Sequence, residues 1–224
     1  MAKRFQDTAL TLLLIVSASA AQAQDRHVII GLDVSDSTPL ISDKAYAARA
    51  VSAVSDMLSG LEAGDQVVIQ TIGNYGMAEN PLNFEWTVSR RTPAIKLRRI
   101  VTSLIARLPK LVESGKLEAA NSTNLVGFLE MASYSVDCQT ETTSFVLLTD
   151  GIEWSSRTNG RALAAGNASL PAPPEDSLKG CDLTMIGIGQ TVKGADPAVT
   201  ANLIKAWKTW SVTVGCTFRP IPMF

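Results

Sequence analysis

The chain has 224 residues, of which 46% are hydrophobic and 18% charged, so it can bury one sizeable core but hardly two. Its formal net charge is −1, and no basic stripe interleaved with aromatic residues occurs. These features argue against nucleic acid or an anionic membrane surface as a partner.

The first 23 residues have the pattern of a secretory signal peptide. Lys3 and Arg4 precede the apolar run 9–16, and small residues follow up to Ala23. We therefore expect a signal peptide at 1–23 and a single domain at 24–224. No later run approaches the roughly 20 apolar residues of a transmembrane helix, so none is expected in the mature chain. The alternative, an uncleaved anchor, would also place the domain outside the cytoplasm.

Strands and helices are predicted to alternate along the rest of the chain. In chain order they are a strand at 27–33, a helix at 43–59, a strand at 65–72, the short alternating segment at 83–88, helices at 93–113 and 124–136, a strand at 143–149, a Pro- and Gly-rich connection at 155–180, a strand at 182–188, a helix at 196–209 and a strand at 211–217. This order predicts an α/β fold with a doubly wound, mostly parallel central sheet and helices on both faces. The segment at 83–88 is predicted to be one antiparallel edge strand.

The first predicted strand leads into a loop rich in oxygen ligands. The sequence Asp33-Val34-Ser35-Asp36-Ser37 follows an apolar run directly. Two hydroxyls and a carboxylate on alternating residues can converge on one small, hard cation. Ser and Asp are also favoured at helix N-caps and turns for local reasons, so this motif alone leaves both interpretations open.

Two further loops carry similar side chains. The strand at 143–149 runs into Thr149-Asp150-Gly151, and Thr123 lies just before the helix at 124–136. In open α/β sheets, ligands bind at the carboxyl ends of the strands, beside the point where the strand order reverses. Asp33 and Asp150 both lie at such ends, which favours a metal site.

The three loops together resemble the von Willebrand factor A domain, whose metal-ion-dependent adhesion site combines D-x-S-x-S, a Thr in a middle loop and an Asp in a later T-D-G turn. The resemblance implies hydroxyl ligands from Ser35, Ser37 and Thr123. It implies that Asp33 and Asp150 act directly or through water. The expected ion is Mg²⁺, or alternatively Mn²⁺ or Ca²⁺, and the strands that carry the two aspartates are expected to be neighbours in the sheet centre.

The resemblance covers roughly 25–218, with two departures from the family pattern. Ser122 replaces the small Gly that usually precedes the middle Thr. A final helix is expected after the last strand, whereas only 219–224 follow the strand predicted here. The missing helix would leave part of one sheet face uncovered.

The resemblance implies a binding domain that uses its ion to recognise an Asp or Glu side chain of a protein partner. With three neutral hydroxyls and two carboxylates around it, the ion keeps a position that a partner carboxylate can fill. The alternative is a metal-stabilised structural or assembly module of a cell-envelope complex, in which the protein itself seals the site.

Enzymatic interpretations fit the sequence less well. Asp33 would suit an aspartyl nucleophile, but the haloacid-dehalogenase pattern requires a second Asp where Ser35 stands. A serine hydrolase of the G-x-S-x-G type is excluded by the lack of that motif, and the single histidine, His27, lies close to the expected mature N-terminus. We expect no enzymatic activity.

Residues after the T-D-G turn are candidates for partner contact. Trp154, Arg157 and Arg161 would emerge beside the metal, where loops usually carry specificity. Tyr75 and Met77, in the loop after the second strand, are placed on the same rim. Trp154 would equally suit a position capping the core.

Two sequons bear on where the protein acts. Asn121-Ser122-Thr123 and Asn167-Ala168-Ser169 would accept glycans in a eukaryotic secretory route. A glycan on the first would obstruct the proposed metal loop. We therefore expect a bacterial periplasmic or secreted protein.

A disulfide is predicted between Cys138 and Cys181, with Cys216 unpaired. An exported protein meets an oxidising compartment, and three cysteines permit at most one internal bond. Cys138 and Cys181 are expected at the amino edge of the sheet, whereas the strand predicted at 211–217 puts Cys216 at its far end, beyond bridging distance. The alternative is three buried, reduced cysteines.

Overall fold

The computed structural model describes residues 25–73 and 80–222. The predicted signal peptide lies outside these residues, as do Tyr75 and Met77. The elements, in chain order, are β1 (Arg26–Asp33), a 3-10 helix (Pro39–Ile41), α1 (Lys44–Met57), β2 (Gln66–Ile72), β3 (Asn83–Thr87), α2 (Ala94–Glu113), α3 (Leu125–Ser133), β4 (Thr142–Leu148), α4 (Gly160–Ala164), β5 (Asp182–Ile186), β6 (Gln190–Thr191), β7 (Gly194–Ala195), α5 (Pro197–Val214) and β8 (Thr217–Ile221).

Six strands form one sheet in the order β3-β2-β1-β4-β5-β8. Five of them are parallel, and β3 pairs antiparallel with β2 at one edge. β1 and β4 are neighbours in the centre, with Ile30 opposite Val146. The strands β6 and β7 form a separate small hairpin. The predicted fold class, including the single antiparallel edge strand of the main sheet, is confirmed.

Helices cover both faces of the sheet because the central strands are apolar on both faces. On one face, Ile30 of β1 shares a core with Val54 of α1 and Leu108 of α2. On the other face, Phe145 of β4 shares a second core with Leu129 of α3 and Leu203 of α5. In the order β3-β2-β1-β4-β5-β8, the direction of strand order reverses between β1 and β4. The carboxyl ends of these two strands lie side by side at one edge of the sheet, which is the usual ligand position in such sheets.

The end of the chain differs from the prediction. The strand expected at 211–217 is wrong, because α5 continues to Val214 and β8 occupies Thr217–Ile221. The run 211–214 is rich in β-branched residues, but Trp207, Trp210 and Val214 recur at helical spacing on a buried face, so packing overrides local preference. The helix ends at Gly215, whose φ of 77° lies in the left-handed region that glycine adopts at low cost.

The disulfide between Cys138 and Cys181 is confirmed, with 5.0 Å between the two Cα atoms, and Cys216 is free. The predicted position of Cys216 was wrong, however. Cys181 and Cys216 directly precede the paired residues Asp182 and Thr217, so both lie at the amino edge of the sheet. A disulfide is consistent with an oxidising compartment.

One further property concerns membranes. Among the helices at 25–73 and 80–222, none combines the length and apolar character needed to cross a bilayer.

Candidate metal centre

Asp33 is the last residue of β1 and is fully buried. Its Oδ1 accepts a hydrogen bond of 2.9 Å from the backbone N–H of Ser35, and its Oδ2 accepts one of 2.6 Å from the Thr149 hydroxyl. Burial raises the pKa of Asp33, and the hydrogen bonds from Thr149 and Ser35 oppose that rise. The carboxylate is thus fixed between the loops that follow β1 and β4.

Asp150 lies two residues beyond β4 and is also fully buried. Its Oδ1 accepts a hydrogen bond of 2.9 Å from the backbone N–H of Ile152, whereas its Oδ2 has no hydrogen-bond partner among the described residues. Burial, and then the charge of Asp33, raise the pKa of Asp150 to about 7, while the nearby Ser37 hydroxyl and the Ile152 N–H oppose that rise. A buried carboxylate oxygen without a donor is costly in the charged state, and a nearby cation would remove that cost.

The hydroxyls of Ser35 and Ser37 lie together in the loop after β1, with 3.2 Å between their Oγ atoms. Ser35 is buried and Ser37 is half-buried. Backbone hydrogen bonds hold this loop against the segment before α3, because Ala120 donates to the Val34 carbonyl at 2.8 Å. The loop is therefore a rigid platform for two hydroxyl oxygens.

Thr123 is brought to the same place by the loop that follows Asp150. Its backbone N–H donates to the Trp154 carbonyl at 2.9 Å, and the N–H of Trp154 donates back to the Thr123 carbonyl at 2.8 Å. Thr123 is 1% exposed. The five residues predicted as metal ligands thus lie at the carboxyl edge of β1 and β4, Asp33 at the end of β1 and the other four on three loops.

Glu153 is a buried carboxylate that the sequence did not single out. It is fully buried, and its Oε2 accepts a hydrogen bond of 3.1 Å from the backbone N–H of Val126 in the first turn of α3. A carboxylate is favourable at a helix N-terminus, although burial raises the pKa of Glu153. In the sequence, Glu153 looks like an exposed residue of a loop. Only the structure shows that it is buried against the start of α3, close to Thr123.

Tyr46 of α1 is a second residue that the sequence did not indicate. The residue is 4% exposed, and its hydroxyl has no hydrogen-bond partner among the described residues. Burial raises the pKa of Tyr46, and the charges of Asp150 and Asp33 add to the rise. Tyr46 therefore belongs to the buried surroundings of the two aspartates.

The three hydroxyl residues line a cleft of about 430 Å³. Asp33 and Asp150 are not part of its lining and are fully buried. The hydroxyl residues are therefore open to the cleft, whereas the two carboxylates are not. Any ligand entering the cleft would approach the hydroxyl side of the site.

The predicted partner-contact residues take different positions. Trp154 lines the cleft and is 39% exposed, and the guanidinium of Arg161 lies 5.8 Å from the centroid of the Trp154 ring. Arg157 instead donates two hydrogen bonds, of 3.0 and 2.8 Å, to the carboxylate of Glu130 on α3. Arg157 therefore braces its loop against α3, and Tyr75 lies outside the described residues.

The donor set fits a hard divalent cation. Its members are carboxylate and hydroxyl oxygens, which Mg²⁺, Mn²⁺ and Ca²⁺ prefer. The unpartnered Oδ2 of Asp150 and its raised pKa both indicate that positive charge would be stabilising here. In the part of the chain that the structure describes, no cluster of three or more His, Cys, Asp or Glu side chains is placed to hold a metal. The mixed carboxylate and hydroxyl group is therefore the candidate.

Comparisons with known proteins concern the fold. No family model matches the chain, and no curated protein matches it. A solved structure of von Willebrand factor type A from Catenulispora acidiphila is similar over 90% of this chain, with 16% sequence identity and a TM-score of 0.46. The human COPII-coat protein Sec24c is similar over 90% of the chain, with 14% identity and a TM-score of 0.40. The chain covers 39% and 30% of those two proteins, respectively.

Proposed function

We propose that this protein is an exported, non-catalytic domain of the von Willebrand A type that recognises an acidic side chain of a protein partner through a bound Mg²⁺, or alternatively Mn²⁺ or Ca²⁺. The observation that carries the proposal is the buried Oδ2 of Asp150, which accepts no hydrogen bond among the described residues and lies near Ser37, one of three hydroxyl residues that line an open cleft.

The two aspartates are suited to different roles. Both oxygens of Asp33 already accept hydrogen bonds, so Asp33 is suited to act through Ser35 or through a water. Oδ2 of Asp150 accepts no hydrogen bond among the described residues, and with the Ser37 hydroxyl close by it is suited to bind the ion directly. Ser35, Ser37 and Thr123 would supply neutral oxygens. When bound, the ion supplies positive charge next to the two carboxylates and an open position for an incoming carboxylate oxygen.

The lining of the cleft supports binding rather than catalysis. Among the described residues it contains neither His nor Cys, and the one acidic side chain there, Asp36, is exposed. Asp150 has a pKa of about 7, which would suit a general base, but it is fully buried and outside the cleft lining. A partner carboxylate entering the cleft would instead meet the three hydroxyl residues.

The alternative function is a structural module whose metal site is sealed by the protein itself. Sealing would require the cleft beside Ser35 to be filled by the chain. The cleft holds about 430 Å³, and Trp154 on its wall is 39% exposed. These features favour capture of an external ligand.

Calorimetry with MgCl₂ tests the metal site. The mature protein should bind Mg²⁺, and Asp150→Ala and Ser35→Ala should abolish binding. Asp36→Ala is the matched control, because this exposed Asp stands between the two serines of the same loop. Circular dichroism and thermal melting of each variant show whether the fold is retained. Equal Mg²⁺ affinity in all four proteins would contradict the proposal.

Affinity capture tests the partner. Mature wild type and Asp150→Ala are used as baits on envelope extract, with MgCl₂ or with EDTA. A protein retained only by wild type and only with Mg²⁺ is expected. Its retention should be lost when its acidic surface residues are replaced by amides.

A further inference from the structure

The cleft beside the metal centre carries side chains that metal binding does not use. They lie on two segments, the loop and short helix α4 after Asp150, and the hairpin β6–β7 after β5. From the first come Trp154 and Arg161, and from the second come Val192 and Lys193. All four are exposed to solvent.

A backbone hydrogen bond joins the hairpin to the loop after β1, which carries Ser35 and Ser37. The backbone N–H of Val192 donates to the Ser37 carbonyl at 2.9 Å. This bond places the exposed tip of the hairpin beside a predicted metal ligand. Since Val192 is 51% exposed and Trp154 is 39% exposed, the cleft presents apolar surface right next to the hydroxyls. Exposed apolar surface rimmed by polar residues is typical of interaction sites.

The charged residues of the cleft favour an acidic ligand. Within the ranges 25–73 and 80–222 they are Arg161, Lys193 and Asp36, which gives two positive charges to one negative charge. Neither cation forms a salt bridge within the described residues. Arg157, by contrast, lies outside the cleft and is paired with Glu130 at 2.8 Å. Arg161 and Lys193 are therefore available to pair with a charged ligand in the cleft.

We infer that the cleft selects a partner segment in which the metal-binding Asp or Glu is accompanied by an apolar side chain and by a second acidic side chain. This inference rests on the proposed function and specifies its partner. The first carboxylate approaches the hydroxyls, the apolar side chain packs against Trp154 and Val192, and the second carboxylate pairs with Arg161 and Lys193.

The size of the cleft and its charges explain why one carboxylate is not enough. A volume of about 430 Å³ exceeds what one carboxylate occupies and falls in the range of pockets that hold several groups. An ion at the hydroxyls alone would accept any accessible Asp or Glu. A buried apolar anchor and a complementary charge add specificity, because they reject partners that lack either group.

Selection from a displayed library of random eight-residue peptides tests the inference. The baits are the mature wild type, Arg161→Gln/Lys193→Gln, and Arg157→Gln as the matched control outside the cleft, each with MgCl₂ or with EDTA. From wild type with Mg²⁺ we expect peptides that combine one acidic residue, an apolar residue and a second acidic residue. The double variant should lose enrichment of the second acidic residue, and Arg157→Gln should not.

Titration of one synthetic peptide chosen from the wild-type selection measures how much Arg161 and Lys193 contribute to its affinity. Two solvent-exposed ion pairs are worth about 1 kcal/mol or somewhat more together, so the double variant should bind that peptide roughly tenfold more weakly. Val192→Asp should also weaken it, because it places a like charge at the apolar wall. Calorimetric Mg²⁺ affinity should be unchanged in all variants.

Each other outcome has a defined meaning. If wild type binds Mg²⁺ but yields no Mg²⁺-dependent peptides, or peptides that share only a single acidic residue, the inference is overturned and the metal site stands. The same holds if the double variant selects the same peptides as wild type. If wild type does not bind Mg²⁺, the proposed function fails, and the inference fails with it.

Discussion

Asp150 is a fully buried carboxyl group whose negative charge the proposed cation would stabilise. Its pKa of about 7 exceeds its ordinary value of 3.8, so the metal-free folded protein holds the proton more tightly than the unfolded chain. The stability that this proton contributes is fully present below pH 4 and is lost as the pH rises through about 7. At pH 8 the metal-free site is therefore destabilising.

Asp150→Asn should separate the stability of the site from its function. With no charge to bury, the variant should be more stable than the metal-free wild type at pH 8, by an amount on the order of 3 kcal/mol, and nearly equal to it at pH 4. The variant should no longer bind Mg²⁺. Urea denaturation at both pH values in EDTA measures the difference. A variant that is no more stable than wild type at pH 8 would contradict the cost assigned to this charge.

Glu153 is expected to act through the position of Thr123. Glu153→Gln keeps an oxygen for the Val126 N–H and removes a charge that burial disfavours, so its effect on stability should be small. Glu153→Ala leaves that N–H unpaired, which should cost about 1–3 kcal/mol. Urea denaturation compares the two variants.

The Mg²⁺ affinity of the same pair tests the link to the site. Because Glu153→Ala loosens the start of α3 next to Thr123, it should bind Mg²⁺ severalfold more weakly, while Glu153→Gln should bind like wild type. Equal Mg²⁺ affinity in both variants would show that Glu153 serves α3 alone.

At the scale of elements, a buried hydrogen bond connects α5 to the turn Thr149-Asp150-Gly151. The indole N–H of Trp207 donates to the Gly151 carbonyl at 2.8 Å, and Gly151 directly follows Asp150. This hydrogen bond is a contact through which α5 and the turn can influence each other.

Trp207→Phe should therefore weaken both stability and metal binding. It leaves the buried Gly151 carbonyl without its donor, which should cost about 1–3 kcal/mol, and it frees the turn that carries Asp150. Trp210→Phe is the matched control, because the Trp210 ring packs 5.5 Å from that of Trp207 while its own N–H has no partner among the described residues. Denaturation and Mg²⁺ calorimetry of both variants check this. Equal loss of Mg²⁺ affinity in the two would contradict the connection.

The elements that could be predicted from the sequence are those whose local and tertiary preferences agree. β1 and β4 are apolar runs bounded by polar loops, and α2 carries Leu97, Val101 and Ile105 at helical spacing, so pattern and packing coincide. The run 211–214 fails because β-branched residues favour a strand locally, whereas the packing of Val214 favours a helix. The hairpin β6–β7 has two residues in each strand, too few for a periodic pattern.

The same reasoning applies to the site. Asp33 and Asp150 could be predicted because they stand at the ends of apolar strands, and position along such a strand is visible in the sequence. Glu153 and Tyr46 could not, since each owes its place to a contact between segments distant in the chain. The pairing of Arg157 with Glu130 is hidden for the same reason.

At the scale of the whole molecule, the candidate metal centre and the disulfide lie at opposite edges of the sheet. The candidate metal centre lies at the carboxyl edge, where loops after β1 and β4 meet. The disulfide between Cys138 and Cys181 lies at the amino edge, before β5 begins. Gly180, with a φ of 89°, has no side chain that would meet the Cys138 carbonyl, so the two segments can approach each other. Sites this far apart are expected to act independently.

Removal of the disulfide should thus lower stability without changing the metal site. The bond spans 43 residues in sequence, and closing such a loop contributes up to about 4 kcal/mol in the chain-entropy model. Cys138→Ser alone would leave Cys181 and Cys216 directly before the paired residues Asp182 and Thr217 of two adjacent strands, where a new disulfide could form. The informative pair is therefore Cys138→Ser/Cys216→Ser compared with Cys216→Ser.

We expect Cys216→Ser to match wild type in urea denaturation and the double variant to lose up to about 4 kcal/mol, with unchanged Mg²⁺ affinity at a temperature where both are folded. Non-reducing peptide mapping of Cys216→Ser confirms that the remaining pair is bonded. Equal stability of the two variants would mean that the bond does not constrain the unfolded chain. A loss of Mg²⁺ affinity in the double variant alone would mean that strain at the amino edge reaches Asp33 and Asp150 along β1 and β4, because those strands are the direct connection between the two edges.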